Sequence, residues 1–190
     1  MFIQTEETPN PATLKFIPGM TLLESGTQEF KNKKEAEKNA LAKILFSENN
    51  VKGVFIGKDF LTITKSQEVE WEILKPTILS TILDFFSSGG SIEIEPEPVN
   101  LSKSQKISYS KEDEKIVEKI IQLLDERIKP AVAQDGGDIN FVKLQNGIVF
   151  LELRGACSGC PSSTITLKSG IENMLKYYIP EIKAVEAVNQ

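Results

Sequence analysis

The sequence predicts an α+β protein of two small domains, each a small, mostly antiparallel sheet with two helices, joined by a flexible linker. Short apolar runs of strand length alternate with longer amphipathic runs of helix length, and turn signals separate neighbouring strands in both halves. The stretch 95–111 is rich in serine, proline and lysine and poor in large apolar residues, so it cannot offset the entropy lost on ordering. The predicted domains are therefore 1–94 and 112–190, with 95–111 as the linker.

The first domain is predicted to contain a β-hairpin and two amphipathic helices. Strands are predicted at 12–17, 51–56 and 60–65. The turn Gly57-Lys58-Asp59 joins the last two strands into the hairpin. Helices are predicted over 33–46 and 70–86, where apolar residues recur every three or four positions.

The second domain is predicted to consist of a helix, a hairpin, a second helix and a closing strand. These elements are a helix over 112–129, strands at 139–144 and 148–153, a helix that follows the cysteines, and a strand at 182–188. The first helix is expected to end at Pro130, which cannot continue it. Asn146-Gly147 is a two-residue hairpin signal between the first two strands. Pro161 suits the first turn of the second helix.

Charge and hydropathy exclude two classes of partner. The chain carries 22 Lys and Arg against 27 Asp and Glu, a net charge of -5 at pH 7, so it lacks the basic excess with which proteins bind a phosphate backbone. No apolar run approaches the about 20 residues that span a bilayer. The N-terminal segment lacks a basic region followed by an apolar one, and it contains Glu6 and Glu7. We therefore expect a cytoplasmic, unprocessed protein that binds neither nucleic acid nor membrane.

The residue types present also limit the chemistry, because the chain has no histidine and two cysteines. Ser-His-Asp and Cys-His nucleophilic systems are excluded, since each needs an imidazole. A histidine-ligated zinc or non-haem iron site within one chain is excluded for the same reason. Soft-metal or redox chemistry is left to Cys157 and Cys160.

Cys157 and Cys160 form a CxxC motif in a loop between a predicted strand and a predicted helix. Free amides and the positive end of the helix dipole are expected to favour the thiolate there. Neighbouring glycines would let backbone N–H groups approach sulfur. Three interpretations compete: inert buried cysteines, a thioredoxin-like dithiol, and a metal site. Against the dithiol, thioredoxin folds place a βαβ unit before the motif, whereas a tight hairpin precedes it here.

The metal interpretation starts from a shortage of ligands. A structural zinc or a 4Fe-4S cluster usually takes four protein ligands, and one chain supplies two thiolates. Two chains related by a two-fold axis would supply four. A centre shared in this way is given up more readily than one held within a single fold, which suits a carrier. Asp135 and Asp138 flank two glycines, and a turn or cap role is predicted for them instead of metal binding.

The residues around the cysteines resemble a known family. The segment 155–163, with Thr166-Leu167, resembles the CxxC motif of the C-terminal NifU-like domain of the Nfu family. Lys129-Pro130 and the stretch 135–138 are similar to the helix-to-strand junction of the same domain. The first half resembles the Nfu-type N-terminal domain at 4–11, 14–16, 18–19, 53–60 and 62–65. The resemblance covers nearly the whole chain except the linker.

This resemblance implies an iron-sulfur cluster assembly scaffold or carrier and not an enzyme. By the resemblance, Cys157 and Cys160 are the iron ligands, and the same two cysteines of a second chain complete a 4Fe-4S cluster that bridges a homodimer. The cluster would be received from upstream assembly proteins and passed to recipient apo-proteins. The N-terminal domain has no cysteine, so the resemblance implies that it contacts targets or partners. A thiol oxidoreductase and a zinc-bridged interaction module remain as alternatives.

Overall fold

The computed structural model describes residues 2–92, 109–158 and 161–188, with only the backbone described for 161–163. The chain divides into two compact units, Met1–Glu95 and Pro96–Gln190. The predicted linker 95–111 lies outside the described residues except for its last three. Of these, Tyr109 accepts a hydrogen bond at its hydroxyl from the backbone N–H of Leu144, 3.1 Å away. None of the described helices has the length and hydropathy that crossing a bilayer requires.

The first unit is an antiparallel sheet with helices packed on one face. Its elements are β1 Gln4–Glu7, β2 Thr13–Ile17, β3 Gln28–Phe30, α1 Lys33–Ala36, α2 Ala40–Leu45, β4 Val51–Ile56, β5 Leu61–Lys65 and α3 Trp71–Ser87. The described strands lie in the order β1-β2-β5-β4-β3, and every neighbouring pair is antiparallel. The hairpin predicted between 51 and 65 is confirmed as β4 and β5. The hydropathy pattern does not predict β1 and β3. The residues of β1 are mostly exposed, and β3 has only three residues.

The helix predicted over 33–46 is broken in two. Asn39 lies in an extended conformation between α1 and α2, and its side-chain oxygen accepts the backbone N–H of Ala42 at 3.0 Å. Its amide nitrogen donates to Gln28 Oε1 at 2.9 Å. An asparagine that satisfies a free helical N–H in this way starts a new helix. The prediction of one continuous helix was wrong, because the helical spacing of apolar residues continues past Asn39 and does not show the break.

The second unit is a mixed sheet with helices. Its elements are α4 Lys111–Leu123, a π-helical segment Leu124–Ile128, α5 Lys129–Gln134, β6 Gly137–Gln145, β7 Ile148–Gly155, α6 Pro161–Tyr178 and β8 Ala184–Ala187. The described strands lie in the order β6-β7-β8; β6 and β7 are antiparallel, and β7 and β8 are parallel. The predicted hairpin is confirmed, with φ of 55° at Asn146 and 79° at Gly147. The two units together confirm the α+β prediction.

The helix predicted to end at Pro130 instead continues to Gln134. The turn before the proline is wider than an α-helical turn, because the backbone N–H of Lys129 donates to the carbonyl of Leu124, five residues back. This register change makes Lys129 the first residue of α5. Pro130 then lies in the first turn of α5, where its missing N–H is tolerated. The position of a proline within a helical turn, and not its presence, decides whether the helix ends.

A carboxylate of α6 holds the edge strand β8 against the helix. Glu172 accepts a hydrogen bond from Lys176 Nζ at 2.6 Å and one from the backbone N–H of Val185 at 3.0 Å. These bonds, chiefly that from Lys176, lower the pKa of Glu172. A carboxylate whose pKa is lower in the folded chain than in the unfolded chain stabilises the fold above its unfolded pKa. That stabilisation is lost as the pH falls through the lowered pKa of the folded chain.

We expect Glu172→Gln to lower the thermal unfolding midpoint of the protein at neutral pH. The difference from wild type should shrink as the pH falls through the lowered pKa of Glu172, because the protonated carboxyl then resembles the amide. Circular dichroism melts between about pH 7 and pH 3 measure this. Glu118→Gln, on an exposed part of α4, is the matched control. A midpoint difference independent of pH would contradict the prediction.

Candidate metal centre

The loop that carries the cysteines connects the end of β7 to the start of α6. Gly155, the last residue of β7, has a φ of 65°, a left-handed conformation that glycine adopts at little cost. Its carbonyl accepts two hydrogen bonds from Ser158, one from the backbone N–H at 3.0 Å and one from the hydroxyl at 2.9 Å. The chain therefore reverses tightly around Cys157. Cys160 lies outside the described residues.

Cys157 is packed into the core of the second unit. Its exposed fraction is 6%, and it belongs to the same apolar cluster as the buried residues of β6, β7 and α6. The hydroxyl of Thr164, on α6, lies 3.3 Å from the Cys157 carbonyl and donates to it. On the other side, the backbone N–H of Ala156 donates to the Gly136 carbonyl at 3.1 Å. The position of the sulfur is thus set by contacts on both sides of the loop.

Gly137, the first residue of β6, provides the space for the cysteine. A methyl group added to Gly137 would lie 2.7 Å from the Cys157 Sγ and 2.7 Å from the Arg154 carbonyl. Both distances are far shorter than any van der Waals contact, so no larger side chain fits without moving the sulfur or the strand. The sequence identified 135–138 only as a turn. The two adjacent glycines of this stretch were the available signal. The contact between Gly137 and Cys157, which lies 20 residues later, depends on the hairpin register, because that register pairs Gly137 with Gly155.

The electrostatic surroundings of Cys157 oppose the thiolate. Burial, together with smaller contributions from the carboxylates of Asp135 and Asp138, raises the pKa of the Cys157 thiol to about 12. The expectation that the helix dipole and loop amides favour the thiolate is therefore wrong for Cys157 in the chain without metal; Cys160 lies outside the described residues. Burial next to two negative charges outweighs them. A metal ion that binds here has to displace a proton from sulfur.

Asp135 and Asp138 occupy structural positions. Asp135 is the C-terminal cap of α5, and Asp138 lies in β6 opposite Arg154. Within residues 2–92, 109–158 and 161–188, no group of three or more histidine, cysteine, aspartate or glutamate side chains is arranged to hold a metal ion. The described part of the chain therefore offers the thiol of Cys157 but no complete set of ligands around it.

The sequence matches two family models in the order of the two units. Residues 3–89 match the model described as "Scaffold protein Nfu/NifU N terminal". Residues 120–186 match the "NifU-like domain". A solution NMR structure of a NifU-like protein from Saccharomyces cerevisiae is 31% identical, covers 50% of this chain and 87% of its own, and has a TM-score of 0.46.

Full-length relatives extend the similarity across both units. The human "NFU1 iron-sulfur cluster scaffold homolog, mitochondrial" is 49% identical over 189 residues, which are 99% of this chain and 72% of the human protein. The protein of the same name from Drosophila sechellia is 46% identical over 99% of this chain and 65% of its own length. "NifU-like protein 4, mitochondrial" of Arabidopsis thaliana is 47% identical over 98% of this chain and 65% of its own length.

These relatives correct one prediction and decide the family. They are named as mitochondrial proteins, which contradicts the expectation of a cytoplasmic protein and points to mitochondria. That expectation was drawn from the residue pattern at the start of the given sequence, which contributes nothing to the folded domains from which the relatives are identified. The two family matches and the identity over nearly the whole chain agree with each other. This chain belongs to the Nfu family of iron-sulfur cluster scaffold proteins, which are scaffolds and not enzymes.

Proposed function

We propose that this chain holds a 4Fe-4S cluster as cargo through Cys157 and Cys160, shares it with the same two cysteines of a second copy, and passes it to apo-proteins. The observation that carries the proposal is the buried Cys157 in the CxxC loop of a scaffold family, in a chain whose described residues contain no group of three or more side chains arranged to hold a metal ion. Cysteine thiolates are the usual ligands of such clusters. The chemistry of the loop therefore fits this cargo.

The number of ligands supports a shared cluster. The chain has two cysteines and no histidine, so one copy provides half of the four thiolates that a 4Fe-4S cluster takes. A two-fold symmetric pair of chains provides all four from one repeated surface. An acceptor with four ligands in one chain can then replace the bridging cysteines stepwise by ligand exchange. In this proposal the domain 112–190 carries the cluster, and the domain 1–94 contacts the proteins that donate or receive it.

Anaerobic reconstitution with iron and sulfide tests the proposal. We expect about two iron and two sulfide per chain, a visible absorption spectrum of the cluster, and a native mass that changes from one chain to two when the cluster forms. A colourless monomer that cycles a disulfide between Cys157 and Cys160 would replace the proposal with thiol redox chemistry. A colourless dimer that holds zinc and no sulfide would replace it with a zinc-bridged module.

A further inference from the structure

A carboxylate lies beside the turn that packs against the cysteine loop. Asp135 caps the C-terminal end of α5 and is followed directly by Gly136 and Gly137. The carbonyl of Gly136 accepts the backbone N–H of Ala156 at 3.1 Å. A methyl group added to Gly137 would lie 2.7 Å from the Cys157 Sγ. Because consecutive Cα atoms are about 3.8 Å apart, the Cα of Asp135 lies within roughly 12 Å of this sulfur.

The fold does not require the charge of Asp135. Its side chain is exposed, and among the residues that the structure describes none donates a hydrogen bond to its carboxylate or forms an ion pair with it. The cap is made by its backbone N–H, which donates to the Ala131 carbonyl at 3.3 Å. The helix dipole opposes a negative charge at this end of a helix. The contacts of the second unit therefore give no reason for a carboxylate at this position.

The charged groups that act on the Cys157 sulfur are negative. After burial, the Asp135 carboxylate is the largest cause of the raised pKa of the Cys157 thiol, and Asp138 is the next. Arg154 lies opposite Asp138 in the sheet, but its Nε donates to Glu152 Oε2 at 2.9 Å. The pair of Arg154 and Glu152 carries no net charge. The charge near the proposed ligand is therefore negative.

This negative charge acts on the cargo, so the inference that follows rests on the proposed function. Four thiolates carry more negative charge than a 4Fe-4S core carries positive charge, so the loaded site is an anion. A nearby carboxylate repels an anion. In the exchange step, an acceptor cysteine gives up its proton and its sulfur binds iron, the Cys157 sulfur leaves iron and takes up a proton, and no electron is transferred. The repulsion therefore raises the free energy of the loaded chain relative to the emptied one.

We infer that the carboxylate of Asp135 weakens the hold of this chain on the cluster and so speeds its release to an acceptor. Each of the two copies contributes one Asp135, so a shared cluster meets this charge twice. The expected direction is diagnostic. Replacing a residue that only supports a site loosens the cargo, whereas neutralising Asp135 should make the cargo more tightly held.

The test compares the full chain with Asp135→Asn, which removes the charge, and Asp135→Glu, which keeps it. Each protein is reconstituted anaerobically with iron and sulfide, and its loss of iron to an excess of bipyridine is followed by absorbance. Bipyridine is neutral, so its own charge does not enter the comparison. Glu118→Gln, on an exposed part of α4, removes one negative charge elsewhere and is the matched control. Circular dichroism of the cluster-free proteins checks that each variant is folded.

We expect Asp135→Asn to lose iron at least about threefold more slowly than wild type at low salt, because one unit charge per copy is removed near the cluster. Transfer to an apo-acceptor should slow by a similar factor. The difference should shrink in about 1 M salt, where charges are screened beyond about 3 Å. Asp135→Glu and Glu118→Gln should lose iron at the wild-type rate.

The outcomes separate the inference from the proposed function. A wild-type chain that takes up no cluster overturns the proposed function and the inference with it. If the cluster forms and Asp135→Asn loses iron as fast as wild type or faster, the inference alone is overturned. The inference also fails if Asp135→Glu behaves like Asp135→Asn, because the charge would then not be the cause. If Asp135→Asn does not fold, wild type decides alone: its iron loss should slow as the salt concentration rises, and an unchanged rate overturns the inference.

Discussion

Cys157→Ser is expected to reduce the iron retained after reconstitution at least about tenfold and to abolish transfer to an apo-acceptor. Changes in residues that merely orient metal ligands already cost 10–100-fold, and this change removes a proposed ligand. A serine hydroxyl at neutral pH is neither deprotonated nor a soft donor, so it does not replace a thiolate on iron. Iron and acid-labile sulfide per chain, and the activity of an acceptor enzyme after transfer, measure the effect. Cys160→Ser should give the same result.

Two comparisons keep a folding defect apart from the loss of a ligand. Cys157 is buried, and a buried hydroxyl without a partner costs about 1–3 kcal/mol. Cys157→Ala, which introduces no hydroxyl, is therefore measured together with Cys157→Ser. The free energy of unfolding is measured for each variant without cluster. Ser158→Ala changes the same loop but leaves both sulfurs in place. It loses its hydrogen bond to the Gly155 carbonyl, worth about 1 kcal/mol, and should keep its iron. If Cys157→Ser and Cys160→Ser both kept the iron content of wild type, the proposed ligands would be refuted.

Gly137→Ala is expected to destabilise the second unit and to impair cluster binding together. The added methyl group would lie 2.7 Å from both the Cys157 Sγ and the Arg154 carbonyl, so either the sulfur or the strand has to move. Overpacking of this kind costs about 1–3 kcal/mol. A displaced sulfur also no longer meets the geometry that a shared cluster requires. The urea midpoint of the cluster-free protein and the iron content of the reconstituted protein measure the two effects.

The first unit offers a matched control for this substitution. Gly53 also lies in a strand of a sheet, but a methyl group there meets its nearest atom, Thr64 Cβ, at 3.4 Å. Gly53→Ala should therefore change stability less than Gly137→Ala and leave iron binding at the wild-type level. Equal iron content in the two variants would show that Gly137 does not position the sulfur.

Local patterns predicted much of the fold because the forces that form those elements act between neighbours in sequence. The hairpin at Asn146-Gly147 was predicted because both residues tolerate a positive φ. The helix after the cysteines was predicted because Pro161 and the apolar spacing agree on its start. The break at Asn39 was missed because its cap depends partly on Gln28, from another element. The continuation through Pro130 was missed because a π-helical turn leaves no mark in apolar spacing.

The candidate site was predicted in its chemistry and not in its environment. The presence of two cysteines and the lack of histidine were enough to indicate Cys157 and Cys160 as the candidate ligands. The raised pKa of Cys157 could not be predicted, because it depends on how deeply the loop sits in the core and on which carboxylates fold beside it. The role of Gly137 could not be predicted either, since its contact with Cys157 exists only when β6 pairs with β7 in the observed register.

The sequence by itself determined the α+β class, the most regular elements and the available ligand atoms, which are two cysteine sulfurs and no imidazole nitrogen. Each of these follows from residue type or from spacing within about 20 residues. The tertiary structure decided where the sulfur of Cys157 lies, in which direction its pKa is shifted and which glycine makes room for it. These properties depend on burial and on distances between residues far apart in sequence, and such distances exist only after the sheet and helices have packed.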